Sequence, residues 1–459
     1  MSGLTTAALL RLTLLLRPEP LWYDETFSVL VARLPLDRLF AATAGDVHPP
    51  LYYLLLKGWL ALWPAAPLEL WARALSLLFS LIALGLWYKA LWAMDDVPEN
   101  YKHPAFLVAC FMPGLLYYSV EARMYALLAV LILAAWVCFL DERPLLAGLF
   151  LGLGALTHNM GLLYAIAVAA IFIAYRRTRR AFWMVTAAAG VAVVVYTPWA
   201  AVIIRQMALT GAGYWVWMPT PGTVAYMLFQ AQLMTRTATP GLDAALMLLV
   251  AAVTSFGVWQ ARRVAAAWLP VVVIGLAVLA SYVTGTGVLL HRALTPAVYF
   301  LSLAWAWMLC RADVGRVLTA LSGLAALYVL GLYCVDGRTG ATYDNVLAAL
   351  EPQSGDVVLA SSFGAVPLML YEDTPVVIVE HAMASGMFAG LSPATATALG
   401  LTVAAPEDVA WARAWLIWTA TPGIDDRAYI EGLVARYNGA PVAAWDTGGE
   451  GELWLLLRR

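Results

Sequence analysis

The chain has 459 residues, of which 63% are hydrophobic and only 12% charged, and its mean hydropathy is +0.78. These values exclude a soluble globular protein of this length, since about 25% of the residues in such proteins are charged. The formal net charge of -2 gives no support to nucleic-acid binding. Twenty tryptophans and 21 tyrosines suit the aromatic belts at membrane surfaces. The composition therefore indicates a polytopic membrane protein.

Apolar runs of about 15 to 25 residues predict roughly eleven transmembrane helices before residue 336. Charged residues, proline or glycine mark the ends of the runs. No small-residue cleavage site follows the first run, so we interpret it as an uncleaved span. The predicted spans are residues 3–20, 68–93, 104–118, 124–140, 145–157, 160–175, 182–204, 241–260, 264–284, 290–310 and 314–334.

Basic residues predict the orientation of these spans. With a cytoplasmic N-terminus, the inside loops carry the block RRTRR at residues 176–180 and the pair Arg262 and Arg263, whereas the short outside loops carry mainly single arginines. This is the positive-inside bias of proteins of the cell (inner) membrane. The topology places five polar segments on the extracytoplasmic side, namely residues 21–63, 121–125, 157–159, 205–240 and 291–292.

The first outside segment contains three predicted helices, over residues 26–34, 36–43 and 51–63. The last has about 13 apolar residues, which is too short for a span and favours a position along the membrane interface. If it did cross the membrane, every later loop would change sides and the positive-inside rule would be violated throughout.

The composition changes after residue 336, where short apolar strands alternate with helices. We predict two domains, a transmembrane domain over 1–335 and a small extracytoplasmic α/β domain with a mostly parallel sheet over 336–459. The predicted strands are residues 355–361, 374–380, 414–419, 441–445 and 452–457, with helices at 364–371 and 425–437.

Four ionisable residues stand between apolar runs in the first outside segment: Asp24, Glu25, Asp46 and His48. Such side chains are costly in hydrocarbon, so they indicate an interface or a wet cavity. Asp24 and Glu25 are either solvated charges at a helix end, or an acidic pair that acts as a general base or holds a divalent metal. Pro49 and Pro50 place His48 at the start of a helix, where it either bonds to backbone or, with Asp46, holds a divalent metal.

A second set of polar residues lies in the other outside turns. Glu121, Arg123 and Tyr125 form the turn EARMY, and His291 with Arg292 precedes the tenth span. Both groups fit either ordinary turn residues or a site for a phosphate-bearing lipid, whose oxygens an arginine fork binds in pairs. His158, in the turn THN, has the same two interpretations, a polar turn that joins two helices or part of a site for the phosphate-bearing lipid, and the structural one is favoured.

Several motifs together resemble a known family. The segments LWYDE, DVHPPLYYLL, ELWARALSLLF and EARMYAL are similar to bacterial glycosyltransferases of the GT-C superfamily. The branch is the glycosyltransferase family 39-like one, which includes protein O-mannosyltransferases and lipid A aminoarabinose transferases. The resemblance covers the chain up to about Tyr164, and more weakly the segment RALTP.

The resemblance implies an inverting transfer of a hexose or pentose from a polyprenyl-phosphate donor to an extracytoplasmic acceptor. It assigns Asp24 as the catalytic carboxylate, with Glu25 beside it, and Arg123 and Arg292 as stabilisers of the leaving phosphate. In aminoarabinose transferases an acidic metal ligand falls near the position of His48, so Asp46 and His48 are the ligands if this chain binds a metal. The family does not generally require a metal for the chemistry.

Two other functions remain open on the sequence. A transporter or flippase for a lipid-linked saccharide would also need outside arginines and aromatic residues, but no carboxylate beside the sugar–phosphate bond. A catalytically silent scaffold with a partner-binding C-terminal domain would tolerate loss of Asp24. Mannose is expected only from the resemblance, and the acceptor is a protein, a lipid or a polysaccharide.

Overall fold

A computed structural model describes residues 2–17, 19–210, 216–234, 240–310, 349–371, 373–379, 391–419, 427–446 and 450–458. Most of the chain before residue 311 is helical. The helices are Ser2–Leu15 (α1), Tyr23–Arg33 (α2), Leu36–Gly45 (α3), Leu51–Leu62 (α4), Leu68–Ala93 (α5), Glu99–Phe111 (α6), Pro113–Tyr118 (α7), Tyr125–Leu140 (α8), Pro144–Ala155 (α9), Met160–Arg176 (α10), Arg179–Thr210 (α11), Pro221–Leu233 (α12), Pro240–Gln260 (α13), Leu269–Thr284 (α14) and Thr295–Cys310 (α15).

Five of the described helical segments are long and apolar enough to cross a membrane: Leu68–Ala93, Arg179–Met207, Gly241–Gln260, Ala265–Thr284 and His291–Cys310. Shorter apolar helices fall on five further predicted elements: Leu4–Leu15, Leu51–Leu62, Tyr125–Leu140, Pro144–Ala155 and Met160–Arg176. The predicted polytopic helical architecture is confirmed. The predicted span 314–334 and the domain boundary at residue 335 lie outside the described residues.

Two predicted spans begin with a tight turn, and one is broken. Short 3-10 turns at Ala265–Trp268 and His291–Leu294 precede α14 and α15. The predicted span 104–118 divides into α6 and α7 at Met112, because Pro113 has no N–H to continue the hydrogen-bond ladder of α6.

The segment 205–240, predicted as a loop, contains the helix α12. Its start carries strong local signals: Thr220 and Thr223 cap each other reciprocally, and Pro221 occupies the first helical position. The loop prediction was therefore wrong between Pro221 and Leu233, since the apolar run of 13 residues is short for a span but sufficient for a helix that packs on α13.

The chain divides into two compact units, each built from separate stretches of sequence. The first comprises Met1–Arg17, Leu70–Ile203 and Val216–Arg338. Its core is rich in large aromatic side chains, such as Trp87 and Phe300, whose ring centroids lie 5.0 Å apart. Its helices α9 and α11 approach so closely that a Cβ atom added to Gly148 would lie 2.2 Å from the carbonyl oxygen of Ala188.

The second unit comprises Pro18–Glu69, Ile204–Trp215 and Thr339–Arg459. It combines the helices α2 to α4 with a six-stranded sheet in the order β3-β2-β1-β4-β6-β5. The first four strands in that order are parallel, and β6 and β5 are antiparallel to their neighbours. The strands are Val357–Ala360 (β1), Val376–Val379 (β2), Thr402–Ala404 (β3), Arg413–Thr419 (β4), Ala440–Asp446 (β5) and Glu450–Leu457 (β6), and the helices beside them are Ser362–Tyr371 (α16), Pro393–Leu399 (α17) and Arg427–Arg436 (α18).

The predicted α/β domain with a mostly parallel sheet is thus confirmed. Sequence analysis missed β3, which has only three residues, and α17, whose start is capped by the Ser392 side chain. Both α16 and α17 pack against the helices of the first outside segment, α16 on α2 and α17 on α3. The sheet domain therefore supports the segment that carries the four ionisable residues.

Contacts between α3 and α17 are specific and close. Arg38 Nε donates to the carbonyl oxygen of Ala398 at 2.8 Å, and the Thr395 hydroxyl donates to the carbonyl oxygen of Ala42 at 3.1 Å. A Cβ atom added to Gly45 would lie 3.0 Å from the Thr395 hydroxyl oxygen. The small residue at position 45 lets the two helices meet at this distance.

Candidate functional site

Asp24 and Glu25 lie in the first turn of α2, which begins at Tyr23. Asp24 is half-buried and Glu25 is fully buried, at 0% exposure. Trp22, the N-cap residue, makes no side-chain capping bond, so the two carboxylates stand at a helix N-terminus that favours negative charge. The Ser28 hydroxyl donates to the backbone oxygen of Asp24 at 2.9 Å and not to its carboxylate.

Asp46 and His48 form a hydrogen-bonded pair between α3 and α4, with 3.0 Å between Asp46 Oδ2 and His48 Nδ1. Because the carboxylate accepts, Nδ1 carries the proton, and a neutral ring then has its lone pair on Nε2. Gln206 fixes this corner by donating its Nε2 hydrogens to the backbone oxygens of Thr43 at 2.9 Å and Asp46 at 2.6 Å. The predicted position of His48 just before α4 is confirmed.

Asp46 and His48 are the two residues on which a metal was predicted. Carboxylate oxygen and imidazole nitrogen together suit several divalent ions. In the part of the chain that the structure describes, no group of three or more His, Cys, Asp and Glu side chains is placed to hold an ion. A metal at this pair would have to complete its coordination with substrate or water oxygens.

The first unit contains the other predicted site residues. Glu121 and Arg123 lie in the turn between α7 and α8 and are buried, with 1% and 3% exposure. The turn is tight, since the Arg123 N–H donates to the Glu121 backbone oxygen at 2.6 Å, and the Ser76 hydroxyl of α5 donates to the Arg123 backbone oxygen at 3.4 Å. Ionised groups so deeply buried need partners, which favours a functional role for this turn over a solvated one.

Aromatic rings connect this turn to the two histidine segments. The Tyr125 ring lies 6.0 Å from the His158 ring and 5.4 Å from the Tyr118 ring, and Tyr118 in turn lies 6.4 Å from the His291 ring. The Arg292 guanidinium lies 6.0 Å from the Tyr125 ring centroid, within cation–π range. The structure thus brings together Tyr125, His158, His291 and Arg292, which are far apart in sequence.

Tyr118 is a member of this ring cluster that sequence analysis missed. It is 2% exposed, and the charges of Glu121 and Arg292 both act on its hydroxyl. The available signal was the pair Tyr117 and Tyr118, which lies two residues before the EARMY turn at the end of the predicted span 104–118.

His158 has a defined structural contact that agrees with the favoured interpretation. Its Nδ1 accepts the backbone N–H of Met160 at 3.0 Å, at the first residue of α10. An accepting Nδ1 places the proton of the neutral ring on Nε2. His158 therefore caps α10 and, through the other ring nitrogen, presents a hydrogen-bond donor.

Tyr164 anchors the segment that carries His291 and Arg292. Its hydroxyl donates to the Ala293 backbone oxygen at 3.0 Å and accepts the Ala297 N–H at 3.3 Å. The Thr295 hydroxyl also donates to the Arg292 backbone oxygen at 2.7 Å. The two Tyr164 bonds attach the 3-10 turn His291–Leu294 and the start of α15 to α10.

No protein-family model and no curated protein sequence matches the chain. Solved structures do match. ArnT from Cupriavidus metallidurans in the apo state has a TM-score of 0.59 at 14% identity, covering 98% of this chain and 97% of that chain. The same protein bound to undecaprenyl phosphate has a TM-score of 0.57 at 12% identity, covering 99% and 97%.

The archaeal oligosaccharyltransferase AglB from Archaeoglobus fulgidus, in complex with an inhibitory peptide and a dolichol-phosphate, is more distant. Its TM-score is 0.47 at 11% identity, covering 91% of this chain and 69% of that chain. At such identities the likeness is one of fold. The two ArnT structures extend it over nearly the whole of both chains.

Proposed function

We propose that this chain, a polytopic membrane protein with the GT-C fold, is a glycosyltransferase that moves a sugar from a polyprenyl-phosphate donor to an extracytoplasmic acceptor with inversion. The observation that carries the proposal is the acidic pair in the first turn of α2, with Asp24 half-buried and Glu25 fully buried, in this fold. The crystallised complex of ArnT with undecaprenyl phosphate supports a polyprenyl carrier.

Asp24 is assigned as the general base. Its carboxylate takes the proton of the acceptor hydroxyl while that oxygen forms a bond to the anomeric carbon. The bond between the anomeric carbon and the donor phosphate breaks on the opposite face, and the electron pair leaves with the phosphate. The phosphate leaves already ionised and needs no acid, so one carboxylate suffices for proton transfer.

Arg123 and Arg292 are assigned to the donor phosphate. Charge develops on the phosphate as its bond to the sugar breaks, and preorganised cations stabilise that charge best in a site of low dielectric. Arg123 is buried, and the Arg292 guanidinium lies 6.0 Å from the Tyr125 ring centroid, which restricts both groups. Tyr118, Tyr125, His158, His291 and Glu121 are assigned to positioning these cations and the donor headgroup.

Glu25 and the pair Asp46 and His48 are assigned to support of the acidic segment. Glu25 is fully buried in the same helical turn as Asp24, and we assign it to holding that turn in place. The hydrogen bond between Asp46 and His48 is assigned to fixing the start of α4. A divalent metal, if the reaction uses one, would take ligands from Asp46 and His48 and would supply a positive charge for phosphate oxygens. The sugar expected from the sequence resemblance is mannose, and the acceptor class is to be read from the labelled product.

The test is transfer of radiolabelled mannose from polyprenyl-phosphate-mannose to membrane and cell-wall fractions. Asp24→Asn keeps the size of the side chain and removes the base, so we expect transfer to fall by roughly 10²- to 10⁴-fold. Asp37→Asn is the matched control, because Asp37 is the second residue of α3 just as Asp24 is the second residue of α2, and it is exposed. It should transfer like the wild type.

Equal labelling by wild type and Asp24→Asn would exclude Asp24 as the base and would favour a transporter of lipid-linked saccharides. Loss of label in both variants would point to the loss of an N-terminal helix charge and not of a base. If neither variant nor wild type transfers mannose, a pentose donor such as polyprenyl-phosphate-aminoarabinose tests the same carboxylate with a different sugar.

A further inference from the structure

A groove on the first unit is lined by none of the residues assigned to the transfer reaction. It encloses about 240 Å³ between α13 and α14, and Leu228 of α12 and Leu301 of α15 also line it. Most of its lining is apolar. Thr254 and Ser255 line it on α13, and Val271 and Ile274 line it on α14. Both helices are long and apolar enough to span a membrane, and Val271, which lines the groove, is 44% exposed, so the groove borders lipid.

Two tryptophans and two arginines stand at one end of this groove. Trp259 and Trp268 line it and are half exposed, as expected for residues at the membrane interface. The guanidinium of Arg262 lies 4.7 Å from the Trp259 ring centroid, and the Trp268 indole donates to the Arg262 backbone oxygen at 3.1 Å. Arg263 follows and is also exposed.

Among the residues that the structure describes, Arg262 and Arg263 form no ion pair, in contrast to basic residues of the neighbouring turns. Arg180 pairs with Glu142, Lys89 pairs with Asp141, and Arg176 lies 3.9 Å from Asp95. Within the described ranges no carboxylate lies in ion-pair distance of Arg262 or Arg263. One oxygen of the Asp96 carboxylate, Oδ2, accepts the Ala265 N–H of this turn at 2.9 Å.

We propose that this groove binds an anionic phospholipid, with an acyl chain between α13 and α14 and the phosphate on Arg262 and Arg263. The apolar groove supplies a surface for the chain, and Arg262 stacked on Trp259 is held in place to offer its remaining N–H groups to phosphate oxygens. The predicted topology puts this end on the cytoplasmic side, where anionic headgroups attract basic residues. The inference is independent of the proposed transfer reaction.

The probe is phosphatidylglycerol against phosphatidylcholine. The full-length protein is reconstituted in nanodiscs with equal amounts of the two lipids, released into mild detergent, and weighed intact with its retained lipid by native mass spectrometry. We expect the wild type to retain phosphatidylglycerol over phosphatidylcholine. Arg262→Gln/Arg263→Gln should reduce that preference by roughly 10- to 30-fold, as two arginine–phosphate contacts at a charged membrane surface would predict.

The control removes two positive charges from the same predicted side but away from the groove, in Arg143→Gln/Arg179→Gln, both of which are exposed. It should keep the preference. A further variant, Ser255→Leu, leaves the arginines in place and partly fills the groove, and it should also lower retention.

Three results would overturn the proposal. Equal retention of both lipids by the wild type indicates unspecific annular lipid. Equal loss in the two double variants indicates a diffuse basic surface. Displacement of phosphatidylglycerol by equimolar undecaprenyl phosphate indicates that the groove holds a polyprenyl chain instead.

Discussion

Tyr371 and Glu69 share a hydrogen bond of 3.1 Å, from the tyrosine hydroxyl to Glu69 Oε1, across 302 residues of sequence. The same hydroxyl accepts the backbone N–H of Leu21 at 2.8 Å. Leu21 stands two residues before α2, and Glu69 is in the first turn of α5. A side chain at the end of α16 therefore fixes the entry to the helix that carries the proposed base.

Tyr371→Phe removes only this hydroxyl and tests whether α16 positions Asp24. The change leaves the Leu21 N–H without its acceptor, which destabilises the site locally by about 1–3 kcal/mol. We expect kcat to fall by roughly tenfold because a small displacement of the base lowers the rate of proton transfer. The KM for the donor and the pH profile of the remaining activity should be unchanged, since neither the phosphate contacts nor the base itself is altered.

Tyr437→Phe is the matched control for Tyr371→Phe, because Tyr437 is a buried tyrosine of the same unit that packs on Trp411. It should leave kcat unchanged. Equal loss of kcat in both variants would mean that general weakening of the sheet domain, and not the position of α2, governs the rate.

Local sequence signals were sufficient to predict the positions of most of the helices. The predicted span 68–93 coincides with Leu68–Ala93, because Pro67 precedes it and the charged pair Asp95 and Asp96 follows it closely. The pair Asp46 and His48 was also accessible, since the residues are two apart and the following prolines fix the backbone between them and α4.

Long-range packing was not accessible in the same way. Nothing in the residues around Gly45 shows that Thr395 packs against it, because a close helix approach is encoded jointly by two segments far apart in sequence. The ring cluster could not be predicted for the same reason. The Tyr118 ring lies near the Tyr125 and His291 rings because α7, α8 and the turn before α15 meet in the folded chain. Short elements such as β3 cannot be recognised from a hydrophobic pattern, because three residues contain less than two full alternations of apolar and polar side chains.

Asp356 gives the sheet domain a defined dependence on pH. Arg413 donates to its carboxylate at 2.6 to 3.0 Å, and the Trp415 indole donates to it at 2.9 Å. The Arg413 hydrogen bonds hold the pKa of Asp356 below its ordinary value. A lowered folded pKa means that this stabilisation is complete above about pH 4 and is lost as the pH falls through the folded pKa.

The expected result for Asp356→Asn is therefore a Tm several degrees below that of the wild type at pH 7 and a smaller difference near pH 3, measured by tryptophan fluorescence. Asp408→Asn, at an exposed carboxylate of the same unit, should show no difference at either pH. A difference for Asp356→Asn that persists undiminished at pH 3 would show that ionisation of Asp356 is not its source.

Gly148 tests the close packing of α9 on α11. A methyl group at this position would lie 2.2 Å from the Ala188 backbone oxygen, so Gly148→Ala forces the two helices apart. Overpacking of this kind costs about 1–3 kcal/mol. We expect Gly148→Ala to lower the Tm in detergent. Gly190→Ala should not lower it, because a Cβ at that position meets no atom within 4 Å. Equal stability of the two variants would mean that α9 and α11 do not approach at Gly148 in the membrane.

Arg292 tests the assignment of the ring cluster to the donor phosphate. Arg292→Ala should raise the KM for polyprenyl-phosphate sugar and lower kcat by roughly 10²-fold, since the lost cation contacts the phosphate in both the ground and the transition state. Arg292→Lys should recover part of the rate, because it keeps the charge but not the planar fork. Arg33→Ala, at an exposed arginine at the end of α2, should have no effect. Full recovery by lysine would indicate a long-range charge effect without bidentate binding.

Substitution of His48 distinguishes a hydrogen-bonding role of the pair Asp46 and His48 from a metal-binding role. Because the leaving phosphate is already ionised, we expect the wild type to keep its transfer activity after dialysis against EDTA. His48→Gln should lower activity by about tenfold with or without EDTA. Without a metal, the imidazole still holds the Asp46 carboxylate by a hydrogen bond of 3.0 Å and so fixes the start of α4, and glutamine loses this bond. The opposite pattern would be decisive: activity of the wild type that EDTA abolishes and Mn²⁺ restores, with no restoration in His48→Gln, would make Asp46 and His48 metal ligands.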